Sequence, residues 1–411
     1  MAHKIREVYI VHHSHTDVGY TDLQEQVIYN QVNNIRRAVE LIADGLEKGT
    51  NQKGLKWNCE TWYCVEQFLK VATEEEKKTF FDLVKKNSIG LSANYLNFND
   101  LADCEYLTEK INDMQEVCAK EGVTVKTAMF ADINGISMGQ RDAMLANGVE
   151  FLYTNIHTHH GMYPLYQNQK PYFWENEDGK RLLVWSGEHY NLGNALGIVF
   201  NKNVNFMTEN YFGKAQGDAA GALEKLHSNL IASMEEYEEN GYPYDFYITS
   251  VSGVFSDNAP INPAIADTVA LFNEKYGEEV TMRMVTLQEL YDLIRDKVAD
   301  APVYRGAIND WWGNGVGSTP YAVKHYKEAV RLNRICDRLE EKTGVHNAEL
   351  VKAYGDNSLL YAEHTWGHSA TVTNPYDTMV TNLDMRKNSY ASKAHEAAAM
   401  RKNEQCHLLG D

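Results

Sequence analysis

Apolar runs of four to eight residues alternate with helical patterns through roughly the first three hundred residues, the signature of strand–helix units that build a mostly parallel sheet. Val8 to Val11 is the first such run. Thr21 with Gln24 three residues on predicts a capping box. Leu23, Val27, Val32, Ile35, Val39 and Ile42 then keep one helix face apolar until Gly45, where the helix is expected to stop. A second helix is expected from about Tyr106 to Glu121, with Leu107, Ile111, Met114 and Cys118 inward, followed by a strand over Val123 to Phe130. Gly148 ends the next helix and Phe151 to Thr154 is another strand. Leu223, Leu226, Leu230, Met234 and Tyr237 mark a long amphipathic helix over Asp218 to Asn240, closed by Gly241 and followed by a strand at Phe246 to Val251. Thr286 and Glu289 make a further capping box.

After Pro320 the strand pattern disappears, and Tyr321 to Thr343, Ala348 to Ala362 and about Tyr376 to Arg401 all read as helices. The expected architecture is an α/β domain over residues 1–315, a mostly parallel sheet or incomplete (β/α) barrel, with a helical bundle over 316–411. The 411 residues suffice for this at roughly 100–200 residues per domain. A hydrophobic fraction of 44% and a charged fraction of 23% are those of a globular chain. No apolar stretch is long enough to span a membrane, and the start lacks a signal peptide's apolar core, so a cytoplasmic protein is expected.

Charge narrows the partners. With 39 Lys and Arg against 57 Asp and Glu, the net charge of -18 repels phosphate backbones and anionic lipid, which argues against nucleic acid and membrane as partners. The six cysteines are scattered without Cys-x-x-Cys spacing, as expected of reduced thiols rather than a disulfide framework or thiolate zinc site. A homo-oligomer is compatible with all of this.

The densest polar cluster, His12-His13-Ser14-His15-Thr16-Asp17, follows the first strand directly. Carboxyl ends of parallel strands face the ligand crevice, and alternate residues of an extended segment share a side, so His13, His15 and Asp17 can converge there. Imidazole nitrogen and carboxylate oxygen are ligands that zinc prefers. A catalytic metal needs more of them from other strand ends. Asp132, closing the expected strand that ends near Phe130, is the best candidate, with a plain helix cap as the alternative. Asp257, in Ser256-Asp257-Asn258-Ala259-Pro260, stands in an equivalent place but within an ordinary turn sequence.

Glu363-His364-Thr365-Trp366-Gly367-His368 offers His364 as a further ligand and Trp366 as a stacking surface for a sugar, although a histidine near a helix C-terminus is often only a dipole partner. His157, His159 and His160 follow another strand. The pair Trp311-Trp312 suits a carbohydrate platform or a domain-interface anchor.

These segments resemble a known family. His13-Ser14-His15-Thr16-Asp17-Val18-Gly19-Tyr20 looks like the first motif of glycoside hydrolase family 38, the zinc-dependent retaining α-mannosidases, whose pattern is His-Ser-His-Asn-Asp-Pro-Gly-Trp. Phe130 to Ser137 resembles the segment that bears the nucleophilic aspartate, and Glu363 to Gly367 falls where the family carries a late His-His-Asp motif. The resemblance implies zinc held by His15, Asp17, Asp132 and His364, with Asp132 also the nucleophile. Asp257 would be the general acid/base, and Tyr20, Trp366, His157 and Trp311 would contact a carbohydrate substrate.

Val18 stands for the family's proline, Tyr20 for its tryptophan and Thr365 for an aspartate that contacts substrate hydroxyls. These changes leave the metal set intact and open the choice of α-linked sugar. Members also continue into β-sandwich domains, so a chain ending at Asp411 fits either a truncated or a minimal enzyme. Two other readings stay open: a metal-dependent amidohydrolase or deacetylase, which also opens its site with His-x-His at a strand end, and a catalytically weak carbohydrate-binding relative.

Overall fold

In the computed structural model, which describes residues 3–157, 162–199, 219–253, 257–308, 310, 312–368 and 370–410, the first strand β1 (Glu7–His13) is buried from Val8 onward. It pairs in parallel with β8 (Phe246–Ser252) over its whole length and with β9 (Thr281–Met284) over its first half only. The space that β9 leaves beside the second half is closed through Asn58 on β2 (Trp57–Cys59), which pairs in parallel with β3 (Ile89–Leu91). The Asn58 amide donates to His12 O at 3.3 Å and Val285 O at 3.1 Å, while its Oδ1 accepts from Leu287 N at 2.8 Å. Residue 90 must then be glycine, because a Cβ there would lie 2.0 Å from Asn58 Oδ1.

A five-stranded sheet follows in the order β10 (Val303–Tyr304), β6 (Lys170–Glu175), β7 (Arg181–Gly187), β5 (Phe151–Ile156) and β4 (Thr127–Asp132), parallel except for the β6–β7 hairpin. Hydrogen bonds carry the strand order between sheets: Ala93 N donates to Thr127 O at 2.8 Å, and Gln169 Nε2 to Ile248 O at 2.7 Å. The expected mixed α/β class with mostly parallel strands is what the chain adopts.

Thirteen α-helices are present among the described residues. They are α1 (Gln24–Lys48), α2 (Trp62–Val71), α3 (Glu74–Lys85), α4 (Cys104–Lys120), α5 (Met138–Ala146), α6 (Leu192–Leu196), α7 (Ala219–Glu239), α8 (Ala264–Tyr276), α9 (Leu287–Ile294), α10 (Asn314–Ser318), α11 (Pro320–Thr343), α12 (Ala348–Ala362) and α13 (Thr378–Leu409). The Thr286–Glu289 capping box forms as expected. The Thr21–Gln24 box does not: α1 starts at Gln24, the Thr21 hydroxyl accepts from Asn258 Nδ2 at 2.9 Å, and the Gln24 amide donates to Leu383 O at 3.3 Å. Nor does Gly45 stop that helix, which runs on to a left-handed cap at Gly49. Gly45 instead admits the next segment, since a Cβ would lie 2.6 Å from the Gln52 carbonyl carbon. The strand expected from Val123 begins only at Thr127, because the Gln115 side chain bonds both backbone groups of Val125 and leaves them none to pair with a neighbour.

Helices α11 to α13 enclose two small apolar clusters, one around Ala329, Leu332, Tyr354 and Ala398 and one around Tyr326, Tyr361 and Tyr390. Leu359 and Ala362 of α12 join the main core, so the helical region seats its last turn beside the strand ends. Tyr106 of α4 donates to Asp356 at 3.0 Å and Lys110 pairs with the same carboxylate at 3.0 Å, fixing α12 against the α/β part. No helix among the described residues is long and apolar enough to cross a membrane.

Candidate active site

The carboxyl ends of β1, β4, β5 and β8 open toward a cavity of about 680 Å³ whose opposite wall comes from the segment 312–319, the loop after α12, and α13. β1 ends at His13, and His15 and Asp17 follow in the irregular segment after it. His15 and Asp17 point to the cavity side. His13 does not join them: its Nδ1 is 2.6 Å from Glu60 Oε2, both groups fully buried. His12 is buried edge-on to Trp57, and burial pushes its imidazole down to about 3, so it remains neutral.

His15, Asp17, Asp132 and His364 each offer a ligand atom, and the four atoms lie within 4.8 Å of one another. His364 Nε2 is 3.1 Å from Asp17 Oδ1 and 3.3 Å from Asp132 Oδ2, and His15 Nε2 is 3.3 Å from Asp17 Oδ1 and 3.8 Å from Asp132 Oδ2. All four residues are buried. Asp132 closes β4 with φ of +76°, a left-handed backbone that aspartate tolerates better than most residues but that still costs energy; the rest of the site holds the residue there.

The outer ring nitrogen of each histidine faces a buried carboxylate. His15 Nδ1 lies 3.1 Å from Glu60 Oε1, an oxygen that also accepts from Thr16 N at 3.1 Å and Asn97 Nδ2 at 2.6 Å. His364 Nδ1 lies 2.9 Å from Glu363 Oε1, which accepts from the Thr365 hydroxyl at 2.6 Å. Glu363 Oε2 in turn receives Lys387 Nζ of α13 at 3.1 Å, a buried ammonium that also donates to Leu360 O and Glu363 O. The buried Nε2 atoms of His15 and His364 have no hydrogen-bond partner, an orphaned state that a cation would relieve; His364 Nδ1, at ion-pair distance from Glu363, makes no hydrogen bond either. Two imidazoles and two carboxylates with such outer partners fit a divalent metal of the zinc class.

The charges agree with that fit. Burial opposes a charged His15 ring, yet Glu60 and Asp17 more than reverse it and hold it well above the usual imidazole range; for His364, Glu363, Asp132 and Asp17 do the same. Burial likewise opposes the Asp17 charge, and His15 and His364 overcome it, so the carboxyl is held well below its ordinary range. Positive charge is thus favoured at the two imidazoles beside these carboxylates. Replacing Glu60 or Glu363 by Gln is expected to weaken metal binding about 10- to 100-fold, measured by competition with a chromogenic chelator. Wild-type affinity in both variants would refute the carboxylate–histidine arrangement.

Asp257 lines the same cavity, and Tyr190 donates to its Oδ1 at 2.9 Å while the Tyr190 ring lies 4.4 Å from that of His15. Burial, with the nearby Asp17 charge and a smaller contribution from Asp132, lifts the Asp257 carboxyl to about 7. Tyr20, His157, Trp366 and Trp312 also line the cavity. Tyr20 has φ of +60° and bridges to His368 through its backbone. His157 N donates to Asp132 O at 3.3 Å. The Trp366 ring carries Lys387 Nζ 4.3 Å from its centre and is edge-on to Tyr361, so it braces the helical wall as well as facing the cavity. Trp312 donates from Nε1 to His364 O at 3.1 Å. Trp311, His159 and His160 lie outside the described residues.

Sequence reasoning passed over Glu60, Tyr190 and Lys387. Glu60 follows a strand of only three residues, too short for a period to show, and Lys387 reads as one of the five Lys and Arg along α13. Glu363 stood within the segment singled out, without a role.

The model of the glycosyl hydrolases family 38 N-terminal domain matches residues 6–307. An alpha-mannosidase from Enterococcus faecalis V583 superposes with a TM-score of 0.68 at 15% identity, covering 98% of this chain and 43% of that one. A protein in the glycosyl hydrolase family 38 from Enterococcus faecalis gives 0.61 at 12%, covering 100% and 40%. A 4-alpha-glucanotransferase from Thermococcus litoralis gives 0.52 at 12%, covering 95% and 60%. The chain thus spans less than half the length of the first two. No curated protein matches its sequence.

Proposed function

Because the chain belongs to glycoside hydrolase family 38, we propose that it cleaves α-mannoside-like glycosidic bonds with retention of configuration, using zinc held by His15, Asp17, Asp132 and His364. The observation that carries this reading is the convergence of two orphaned Nε2 atoms with two carboxylates at the strand ends. When bound, the ion would supply positive charge that orients vicinal sugar hydroxyls and offsets the carboxylates.

Asp132 attacks the anomeric carbon and forms a glycosyl ester. Asp257, protonated by virtue of its buried position, gives its proton to the departing glycosidic oxygen. In the second step the Asp257 carboxylate takes a proton from water as that water displaces Asp132. Tyr190 donates to Asp257 Oδ1 and so helps to orient the carboxyl. Tyr20, His157, Trp366 and Trp312 line the space around the sugar.

Elemental analysis together with a panel of aryl α-glycosides tests metal and reaction class at once. Expected are about one zinc per chain, turnover of an aryl α-mannoside, loss of that turnover on chelation and recovery with zinc. Proton NMR should show the α-anomer as the first product. Release of the β-anomer, or turnover of amides but no glycoside, would replace this reading.

A further inference from the structure

The pairing of β1 with β8 ends at His13 opposite Ser252, and Gly253 N donates to His13 O at 2.9 Å as the last regular rung. In a parallel ladder the next donor, onto His15 O, would come two residues further along. It comes instead from Asn258, whose N lies 2.8 Å from His15 O. The rung after that is made by a side chain: Asn258 Oδ1 accepts from Asp17 N at 3.2 Å, as a strand carbonyl would. Asn258 therefore bonds to both ligand-bearing residues of the first segment while standing next in sequence to Asp257.

Its remaining polar groups are committed as well. Oδ1 also accepts from Gln31 Nε2 of α1 at 3.0 Å, Nδ2 donates to the Thr21 hydroxyl at 2.9 Å, and the carbonyl accepts from Asn34 Nδ2 at 3.2 Å. The residue is buried, with φ of +58°, a left-handed backbone that asparagine adopts more readily than most residues. Asp257 is tied to the same segment from its other side, since Tyr190 donates to its Oδ1 and packs its ring 4.4 Å from that of His15.

Resting on the glycosidase reading, we propose that Asn258 is a positioning residue for the acid: by extending the β1–β8 ladder to His15 and Asp17 it sets where Asp257 stands relative to the metal ligands. Proton delivery demands that placement, because a displacement of about 1 Å can cost about 10²-fold. Departure of a leaving group that needs no proton does not demand it.

The test uses Asn258→Gly, which keeps the left-handed backbone and the bond to His15 O but removes the side-chain rungs. kcat/KM is measured for a phenyl and a 2,4-dinitrophenyl α-mannoside, and metal affinity by competition with a chromogenic chelator. The dinitrophenyl-to-phenyl ratio should rise roughly tenfold or more, with metal affinity within about threefold of wild type. A general loss of folded enzyme would lower both rates together and leave the ratio alone. Gln31→Met, which removes one donor to Oδ1 and leaves residue 258 in place, should move the ratio the same way by about threefold, and serves if the glycine variant does not fold. A ratio within twofold of wild type in the folded variants, or a tenfold loss of metal affinity without a change in ratio, would overturn the positioning role and leave the glycosidase reading standing. A metal-loaded wild type that turns over neither substrate would overturn both.

Discussion

Asp132→Asn is expected to lower kcat/KM for an aryl α-mannoside by roughly 10⁴- to 10⁶-fold, the scale at which enzymes lose an attacking residue. That corresponds to about 5–8 kcal/mol of transition-state stabilisation. Two losses coincide, because the amide is a poor nucleophile and a poorer metal ligand than the carboxylate. Asparagine is the informative replacement, since it tolerates the left-handed backbone at φ +76° and preserves the shape of the side chain. The variant should therefore stay folded, as judged by circular dichroism. A slow fluorinated glycoside should add one label to the wild type, on the peptide bearing Asp132, and none to the variant. A labelled wild type with the adduct elsewhere would remove Asp132 from the nucleophile's place, and a variant retaining a tenth of wild-type activity would do the same.

The second large effect belongs to Asp257. Replacement by Asn should cost about 10²- to 10⁴-fold on a substrate with a poor leaving group, and much less where the leaving group departs without a proton. The pH dependence carries the sign. A general acid works protonated, so kcat/KM falls as pH rises through its pKa. Burial sets that lift first, and the Asp17 charge adds to it, bringing the carboxyl to about 7. A bound cation would offset the Asp17 and Asp132 charges and leave burial as the main cause, placing the basic limb at or somewhat below 7. In Asp257→Asn that limb should vanish. Its persistence would assign the proton to another group.

Much of this arrangement was legible along the chain because strand ends announce themselves. A run such as Val8 to Val11 followed by His and Asp tells both where a strand stops and what stands at its mouth, and Asp132 and Asp257 follow the same logic. His364 was legible for a different reason, as an unusual grouping at the end of a helix that the pattern marks out to the residue, Ala348 to Ala362. What was not legible depends on contacts between distant segments. The alternation that put His15 and Asp17 on one face also predicted His13 there; His13 shares Glu60, a residue with no local signature, with His15, yet it stays outside the four-residue cluster. Thr21 and Gln24 have the spacing of a capping box, yet Asn258 and Leu383 claim their side chains from far away. Lys387 belongs to the same class: its meaning is fixed by Glu363 and two carbonyls, not by its neighbours in α13.

The ligand set has a mechanical side as well. His15 and Asp17 come from the beginning of the chain, Asp132 from its first third and His364 from near its end, so an ion held by all four would act as a staple across the polypeptide. Drawing such remote segments together in an unfolded chain is entropically expensive, and an ion that binds only the folded form returns that cost as resistance to unfolding. Chemistry and endurance would then rise and fall with one occupancy, and scarcity of the ion would silence the molecule and loosen its helical end from the strands in a single event.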